Sequence, residues 1–261
     1  MARMKKICCC LIVAAMFAVV YPLSLSRAQD NSVIDIEAQG ILAGVDAFFS
    51  YPAGLIKGRL YHVYADGSSF SISVTGFIGK DDSVFKFSSS SRGEQLRVLY
   101  SLGGEDMWIY NALVRRSIHE QGRKRYDRIL FTNLAYNDLS GASFQTNFNA
   151  RIIGDDVVRG EKVRVLELVP ILRGGEYSAL TMYVASKSGI PVRIEYLGRN
   201  RRVCRFLSIN KTITRNGRVI PVRFDFLNPG EQTETILRFY RFDDSVHFRD
   251  DLFSTENFWK Y

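Results

Sequence analysis

The sequence predicts a mainly β protein, a single antiparallel sheet of about a dozen short strands bent into a barrel or sandwich and preceded by one helix. Three observations carry this. Apolar and polar residues alternate with a period of two over most of the chain beyond Tyr51-Pro52. Turn signals such as Asp66-Gly67 and Asn216-Gly217 separate the alternating runs. The aromatic content, 18 Phe, 13 Tyr and 2 Trp, is of the kind that strands favour.

The chain of 261 residues opens on Arg3, Lys5 and Lys6, an apolar run from Ile7 to Val20, and Ser26-Arg27-Ala28. That is the plan of a secretory signal cut after Ala28, so residues 1–28 are expected to be removed and 29–261 to form a single exported domain. The apolar run is shorter than the roughly 20 residues of a membrane-spanning helix. A lipid-attachment cysteine would follow the apolar run, whereas Cys8, Cys9 and Cys10 lie at its start and should leave with the signal. Cys204 then stands alone, and stability must come from a packed core instead of disulfides. Its flanking Arg202 and Arg205 could lower the thiol pKa, or it is a small hydrophobe in a strand. The formal charge of +8 includes four leader cations, and the +4 that remains is too weak to argue for nucleic acid.

After the leader, Val33, Ile34, Ile36, Ala38, Ile41, Leu42, Val45, Phe48 and Phe49 recur mostly at three- and four-residue steps, an amphipathic helix that Tyr51-Pro52 stops. Leu60, His62 and Tyr64 alternate with Tyr61 and Val63 up to Asp66-Gly67. Phe70, Ile72, Val74 and Ile78 then alternate with serines and Thr75, which makes a hairpin. Further strands are expected at 84–87, 96–102, 107–110, 151–154, 163–169, 178–185, 191–197, 203–214, 219–227 and 233–242, with Asn216-Gly217 as a type I′ turn. Between Arg115 and Phe148 the alternation disappears, and 129–136 suits a short helix or an irregular covering segment.

Motifs that would carry chemistry are sparse. His62, His119 and His247 lie on separate expected elements and form no metal-ligand spacing, so neither a metal nor a cofactor is expected. Asp81-Asp82, Asp155-Asp156, Asp243-Asp244 and Asp250-Asp251 read mainly as turn carboxylates. There is no nucleophile elbow, P-loop or dinucleotide fingerprint. The connector carries Arg115, Arg116, His119, Arg123, Lys124, Arg125 and Arg128 against Glu120 and Asp127. It is either a solvated loop or a rim for anionic headgroups, where a cation near the surface is worth about 1 kcal/mol.

One ordered set of segments resembles a known family. It comprises the helix, the Asp-Gly hairpin, Asp106-Met107-Trp108-Ile109-Tyr110, Tyr136-Asn137-Asp138-Leu139, Gly154 to Val163, Val165 to Leu168, Tyr183-Val184, Gly189 to Tyr196, and Gly217 to Val222. Their order and spacing resemble the outer-membrane lipoprotein-sorting family, relatives of the periplasmic Lol-type carrier. Asn111-Ala112-Leu113-Val114 stands where a Leu-Pro pair is usual, and Asn137 where an acidic residue is common. The resemblance implies a half-open antiparallel barrel with a short helical cover over an apolar cavity that receives acyl chains. It implies a monomeric, non-enzymatic carrier for an acylated lipoprotein or phospholipid, with contacts to a membrane surface or an envelope protein partner.

Bordering the segment without alternation, Trp108, Tyr110, Phe131, Leu134, Phe144 and Phe148 are the candidates for cavity or cover, with ordinary core as the competing reading. Arg115, Arg116, Arg123, Lys124 and Arg125 are the candidates for a basic rim, and Asp138 is read as a turn or capping residue. Two other classes remain open: an envelope sensor or scaffold with the same fold, and a hydrolase in which Asp106 or His119 would take part.

Overall fold

The computed structural model describes residues 35–89, 94–172 and 176–261; the expected signal at 1–28, with Val33 and Ile34, lies outside them. The helix begins where its cap is: the Asp35 carboxylate accepts a hydrogen bond from the Ala38 N–H at 3.0 Å, satisfying a donor of the first turn of α1 (Ile36–Phe49). Ala38, Leu42, Val45 and Phe48 form its buried stripe.

Thirteen strands among the described residues make one sheet in which every neighbouring pair is antiparallel. They are β1 (Gly54–Val63), β2 (Ser69–Ile78), β3 (Ser83–Ser89), β4 (Glu94–Ser101), β5 (Asp106–Asn111), β6 (Arg116–His119), β7 (Phe148–Val158), β8 (Glu161–Pro170), β9 (Ala179–Ala185), β10 (Pro191–Leu197), β11 (Val203–Arg215), β12 (Arg218–Asn228) and β13 (Thr233–Asp243). The order is β6-β5-β4-β3-β2-β1-β13-β12-β11-β10-β9-β8-β7. The sheet is therefore open, and its two edges, β6 and β7, are consecutive in the chain. A twisted sheet of more than about ten strands curls, and one apolar cluster collects side chains from strands on both sides of the β1–β13 seam. The result is the expected half-open barrel. Residues 120–147, leaving one edge and entering the other, are the cover.

Most expected strands appear where alternation placed them. Asn216 and Gly217 both have positive φ, 49° and 73°, as a type I′ turn requires. Two elements differ. Asp155-Asp156, expected in a turn, lies inside β7, which continues past a bulge between Ile152 and Gly154. As an edge strand with mostly exposed side chains it needs no apolar alternation, and that is why the pattern failed there. β6 was hidden for the same reason, all four of its residues being exposed.

The outer face of β3–β5 carries a second, smaller cluster. Val84, Leu99 and the fully buried Phe258 form it, with Phe77, Trp108, Tyr110, Phe253 and Trp259 packed around them. The chain beyond β13 folds back over this face as a C-terminal strap, and Arg97 Nε donates to the Tyr261 carbonyl at 2.8 Å. No described helix is long and apolar enough to cross a membrane.

Candidate functional site

The cover is built from short 3-10 turns at Gly122–Tyr126, Ile129–Phe131 and Tyr136–Leu139, followed by the single-turn α2 (Phe144–Asn147). Its tip enters the barrel: Ile129 and Leu134 are fully buried in the main cluster, with Leu130, Tyr136 and Leu139 packed against it. Leu130 and Phe131 both sit in the left-handed region, with φ of 46° and 67°. Non-glycine residues pay about 1 kcal/mol or more each for that conformation, so the tip is held under strain by its surroundings.

What holds the tip is polar. Asp138 Oδ2 caps its turn by accepting the Ala135 N–H at 2.7 Å. The same carboxylate accepts both terminal nitrogens of Arg205 on β11, at 2.6 and 2.8 Å, and the Tyr196 hydroxyl of β10 at 3.3 Å. Both side chains of the ion pair are buried, 8% and 7% exposed. The guanidinium lies 3.8 Å from the Tyr196 ring centroid, with Tyr177 and Phe226 on other sides, and its Nη1 also donates to the Asn133 carbonyl at 3.1 Å. Asn133 completes the latch. Its N–H donates to Thr235 Oγ1 at 2.8 Å and its Nδ2 to the Thr233 carbonyl at 2.9 Å, while its Oδ1 accepts from Thr233 Oγ1 at 3.0 Å. Buried His62 shares a 2.8 Å hydrogen bond with the same Thr235 hydroxyl. At the surface, Arg128 meets Glu231 with two bonds of 2.6 and 2.7 Å.

The base of the cover is pinned to the β4–β5 turn. Arg125 donates to the carbonyls of Gly104 and Glu105, and the Tyr100 hydroxyl donates to the Tyr136 carbonyl at 2.5 Å. Gly104 has φ of 87°, and a Cβ there would collide with the Ser140 carbonyl, so only glycine allows this approach. Burial pushes Tyr136 up to about 12, reinforced by Asp127 and Glu120, which keeps its hydroxyl protonated. At the far end, Asp46 of α1 accepts Ser143 Oγ at 2.5 Å and the Phe144 N–H at 2.7 Å, tying α2 to the helix.

The sequence candidates separate on this frame. Leu134 is core within the cover, and Phe131, 70% exposed, stands at its tip. Phe144 and Phe148 stack on each other at 5.8 Å between cover and core, next to Phe49. Trp108 and Tyr110 are placed on the outer face, away from the enclosed side. The period of two explains this correction: Met107 and Ile109 of the same strand face the main cluster, so their neighbours cannot. Trp108 stacks on His119 at 4.4 Å and Tyr110 on Trp259 at 5.4 Å. Of the basic residues, Arg115, Arg116, Arg123 and Lys124 are exposed, whereas Arg125 is taken up by the β4–β5 turn. Arg115 and Arg116 lie beside exposed Leu113 and Val114 at the β5–β6 turn.

On the concave side α1 and the cover both pack apolar side chains into the main cluster. A cleft of about 410 Å3 opens between the tip and the ends of β4 and β5, lined by Leu96, Leu113, Leu130, Phe131 and Tyr136 among others. Asp106 accepts from Trp108 Nε1 at 2.9 Å and contacts His119 Nε2 at 2.5 Å, an outward-facing pair remote from the cover tip. Among the described residues no three His, Cys, Asp or Glu side chains form a group that could hold a metal. Burial raises the Cys204 thiol, outweighing Arg205, and its Sγ donates to the Tyr196 carbonyl at 3.2 Å, as a packed strand cysteine would.

Arg205 was missed in the sequence, yet it left a signal: it shares the inward register with Leu207 and Ile209, and an arginine there demands a buried counter-charge.

Several solved structures share this fold. A DUF1329 family protein from Desulfovibrio piger matches with a TM-score of 0.74 and 17% identity, over 85% of this chain and 97% of that one. A putative outer membrane lipoprotein-sorting protein domain from Vibrio parahaemolyticus gives 0.73 and 14%, over 85% and 97%. A LolA superfamily protein from Nitrosomonas europaea gives 0.70 and 17%, over 84% and 98%. No curated protein matches the chain in sequence. A family model described as "Uncharacterized protein" matches residues 79–260, from the β2–β3 turn to the end of the strap. The chain belongs to that family, and its fold is the open barrel of the LolA superfamily and the outer-membrane lipoprotein-sorting domains.

Proposed function

We propose that the protein is an exported, periplasmic carrier or binding protein that shields the acyl chains of a lipoprotein or other lipid for transfer towards the outer membrane. The observation that carries this reading is the cover. Its apolar tip, Ile129 and Leu134, occupies the barrel interior, while its attachments to β10–β13 and their turns are hydrogen bonds and two ion pairs, Asp138–Arg205 and Arg128–Glu231. A plug with a polar latch can leave as a unit. The buried ion pair contributes little net stability, because its desolvation offsets most of its attraction, and departure relieves the strain at Leu130 and Phe131. The space it vacates is apolar, and an acyl chain of about 16 carbons gains roughly 13 kcal/mol on leaving water. That exceeds any plausible cost of moving one short segment.

The likeness in fold to a lipoprotein-sorting domain and a LolA superfamily protein supports the same reading. Arg115 and Arg116, exposed beside Leu113 and Val114, suit contact with an anionic membrane surface at about 1 kcal/mol per cation. No catalytic step is assigned to Asp106 or His119. The test is mass spectrometry of protein purified from its own envelope, followed by lipid loading of the wild type and Asp138→Ala. The expected result is bound acyl lipid, with faster loading in the variant. Protein that neither carries nor takes up lipid in either form refutes the proposal.

A further inference from the structure

A second cleft, of about 260 Å3, lies on the other side of the latch, between the cover and the loops that lead into β9, β11 and β13. Tyr126 and Arg128 of the cover form one wall, and Tyr177, Asn200, Arg202 and Asn228 form the others. What these groups leave unused is nearly all of one kind. The Asn200 side-chain carbonyl accepts the Arg202 N–H, and that of Asn228 accepts the N–H groups of Gly230 and Glu231, which leaves both NH2 groups as the remaining donors. Among the described residues, the Arg202 guanidinium and the hydroxyls of Tyr126 and Tyr177 also have no hydrogen-bond partner. Arg128 is engaged by Glu231 and Arg205 by Asp138, so Arg202 is the cation with no ion-pair partner on this wall. Among the described residues of the lining the single carboxylate is Glu176.

A cleft of spare donors around a cation calls for a compact, acceptor-rich anion, and one carboxylate calls for a hydroxyl to donate to it. We propose that this cleft binds a phosphate ester bearing a neighbouring hydroxyl, such as a phosphorylated glycerol headgroup. Phosphate supplies the acceptors for Arg202, the two amides and the tyrosines, in charge-assisted bonds stronger than neutral ones. At about 260 Å3 the cleft is smaller than the roughly 300–1,000 Å3 of sites that enclose a whole drug-sized molecule, so it accommodates a headgroup and not its chains. Because its walls come from both the cover and the sheet, an occupant bridges the two across the Arg205–Asp138 latch. This names the headgroup for the carrier proposed above and rests on that reading for the lipid source alone, since the anion site stands on the cleft's own donors.

The test is calorimetric titration of the full mature chain with glycerol 1-phosphate, with inorganic phosphate and glycerol as competitors, in the wild type, Arg202→Gln and Arg199→Gln. Arg199 is exposed and lies outside the lining, so it controls for general electrostatics. Saturable binding is expected, displaced by inorganic phosphate and not by glycerol, weakened about tenfold in Arg202→Gln and unchanged in Arg199→Gln. A lipid arm distinguishes the sources. Displacement by phosphatidylglycerol but not by diacylglycerol identifies a lipid headgroup, and displacement by neither identifies a free phosphate ester; both support the site. Absence of saturable binding, or an equal loss in the two arginine variants, overturns it. If acyl lipid still co-purifies in that case, the carrier reading survives and only the phosphate site falls.

Discussion

Replacing Asp138 with Ala tests whether the cover is a separately latched unit. The change removes a carboxylate that accepts four hydrogen bonds, two from Arg205 and one each from Ala135 and Tyr196. It leaves the Arg205 guanidinium enclosed by Tyr196, Tyr177 and Phe226 with no counter-charge. Stranding one member of a buried pair costs about 3–5 kcal/mol. If that cost fell on global unfolding, a domain of this size would lose roughly 6–20 °C of Tm, at about 2–4 °C per kcal/mol. The cover, however, can open by itself, and local opening takes the cheaper route. Amide exchange in residues 129–140 is therefore expected to accelerate by at least about a hundredfold, the equivalent of roughly 3 kcal/mol. Protection in the centres of β12 and β13 should hardly change. Asp138→Leu combined with Arg205→Met, which replaces both charges by apolar groups, should restore most of the protection. Unchanged exchange at 129–140, or equal loss across the strands, would refute the latch.

Three further outcomes follow from the same geometry. Asp46→Ala should free α2 from α1 and raise exchange at 143–147, at a cost of about 1–3 kcal/mol for a carboxylate bound by Ser143 and Phe144; unchanged exchange there would remove the tie between helix and cover. Phe258→Ala should cost about 3–5 kcal/mol in denaturant unfolding and shift tryptophan emission as Trp108 and Trp259 become wetter; a surface-like cost under about 0.5 kcal/mol would mean that the C-terminal strap is not docked. Burial alone would raise Glu167, but its hydrogen bonds from Arg201 and Arg151 hold it below its ordinary 4.5. A depressed folded-state pKa contributes stability above 4.5 that is lost as the pH falls through the folded value, so unfolding midpoints should drop on acidification below about pH 4.5. Glu167→Gln should flatten that dependence, and an unaltered slope would rule out this contribution.

Strand positions were legible because an antiparallel sheet with one packed face imposes a period of two, and that period is written in β1, β2 and β9–β13. It faded where the physics that imposes it fades: at β6 and β7, the edges, whose side chains are largely exposed. The site was less legible. Phe131, Leu134, Phe144 and Phe148 were singled out because they border a stretch with no strand pattern; the first three lie between β6 and β7 and Phe148 opens β7, and a role toward lipid belongs to the proposal. Trp108 and Tyr110 were drawn in by composition, although the parity of their own strand, with Met107 and Ile109 facing the main cluster, already assigned them to the outer face.

Composition and alternation alone determined a mainly β chain with a leading helix, a break in pattern between Arg115 and Phe148, and the turns at Asp66-Gly67 and Asn216-Gly217. Those are local properties, set by side-chain period and backbone preference within a few residues. The open edges, the packing of α1 and the cover against the sheet, and the latch came only from the folded molecule. Asp138 and Arg205 are 67 residues apart, Asn133 and Thr235 are 102 apart, and no local pattern relates them. They meet because the chain leaves one edge of the sheet at β6 and must cross the opening to begin the other at β7.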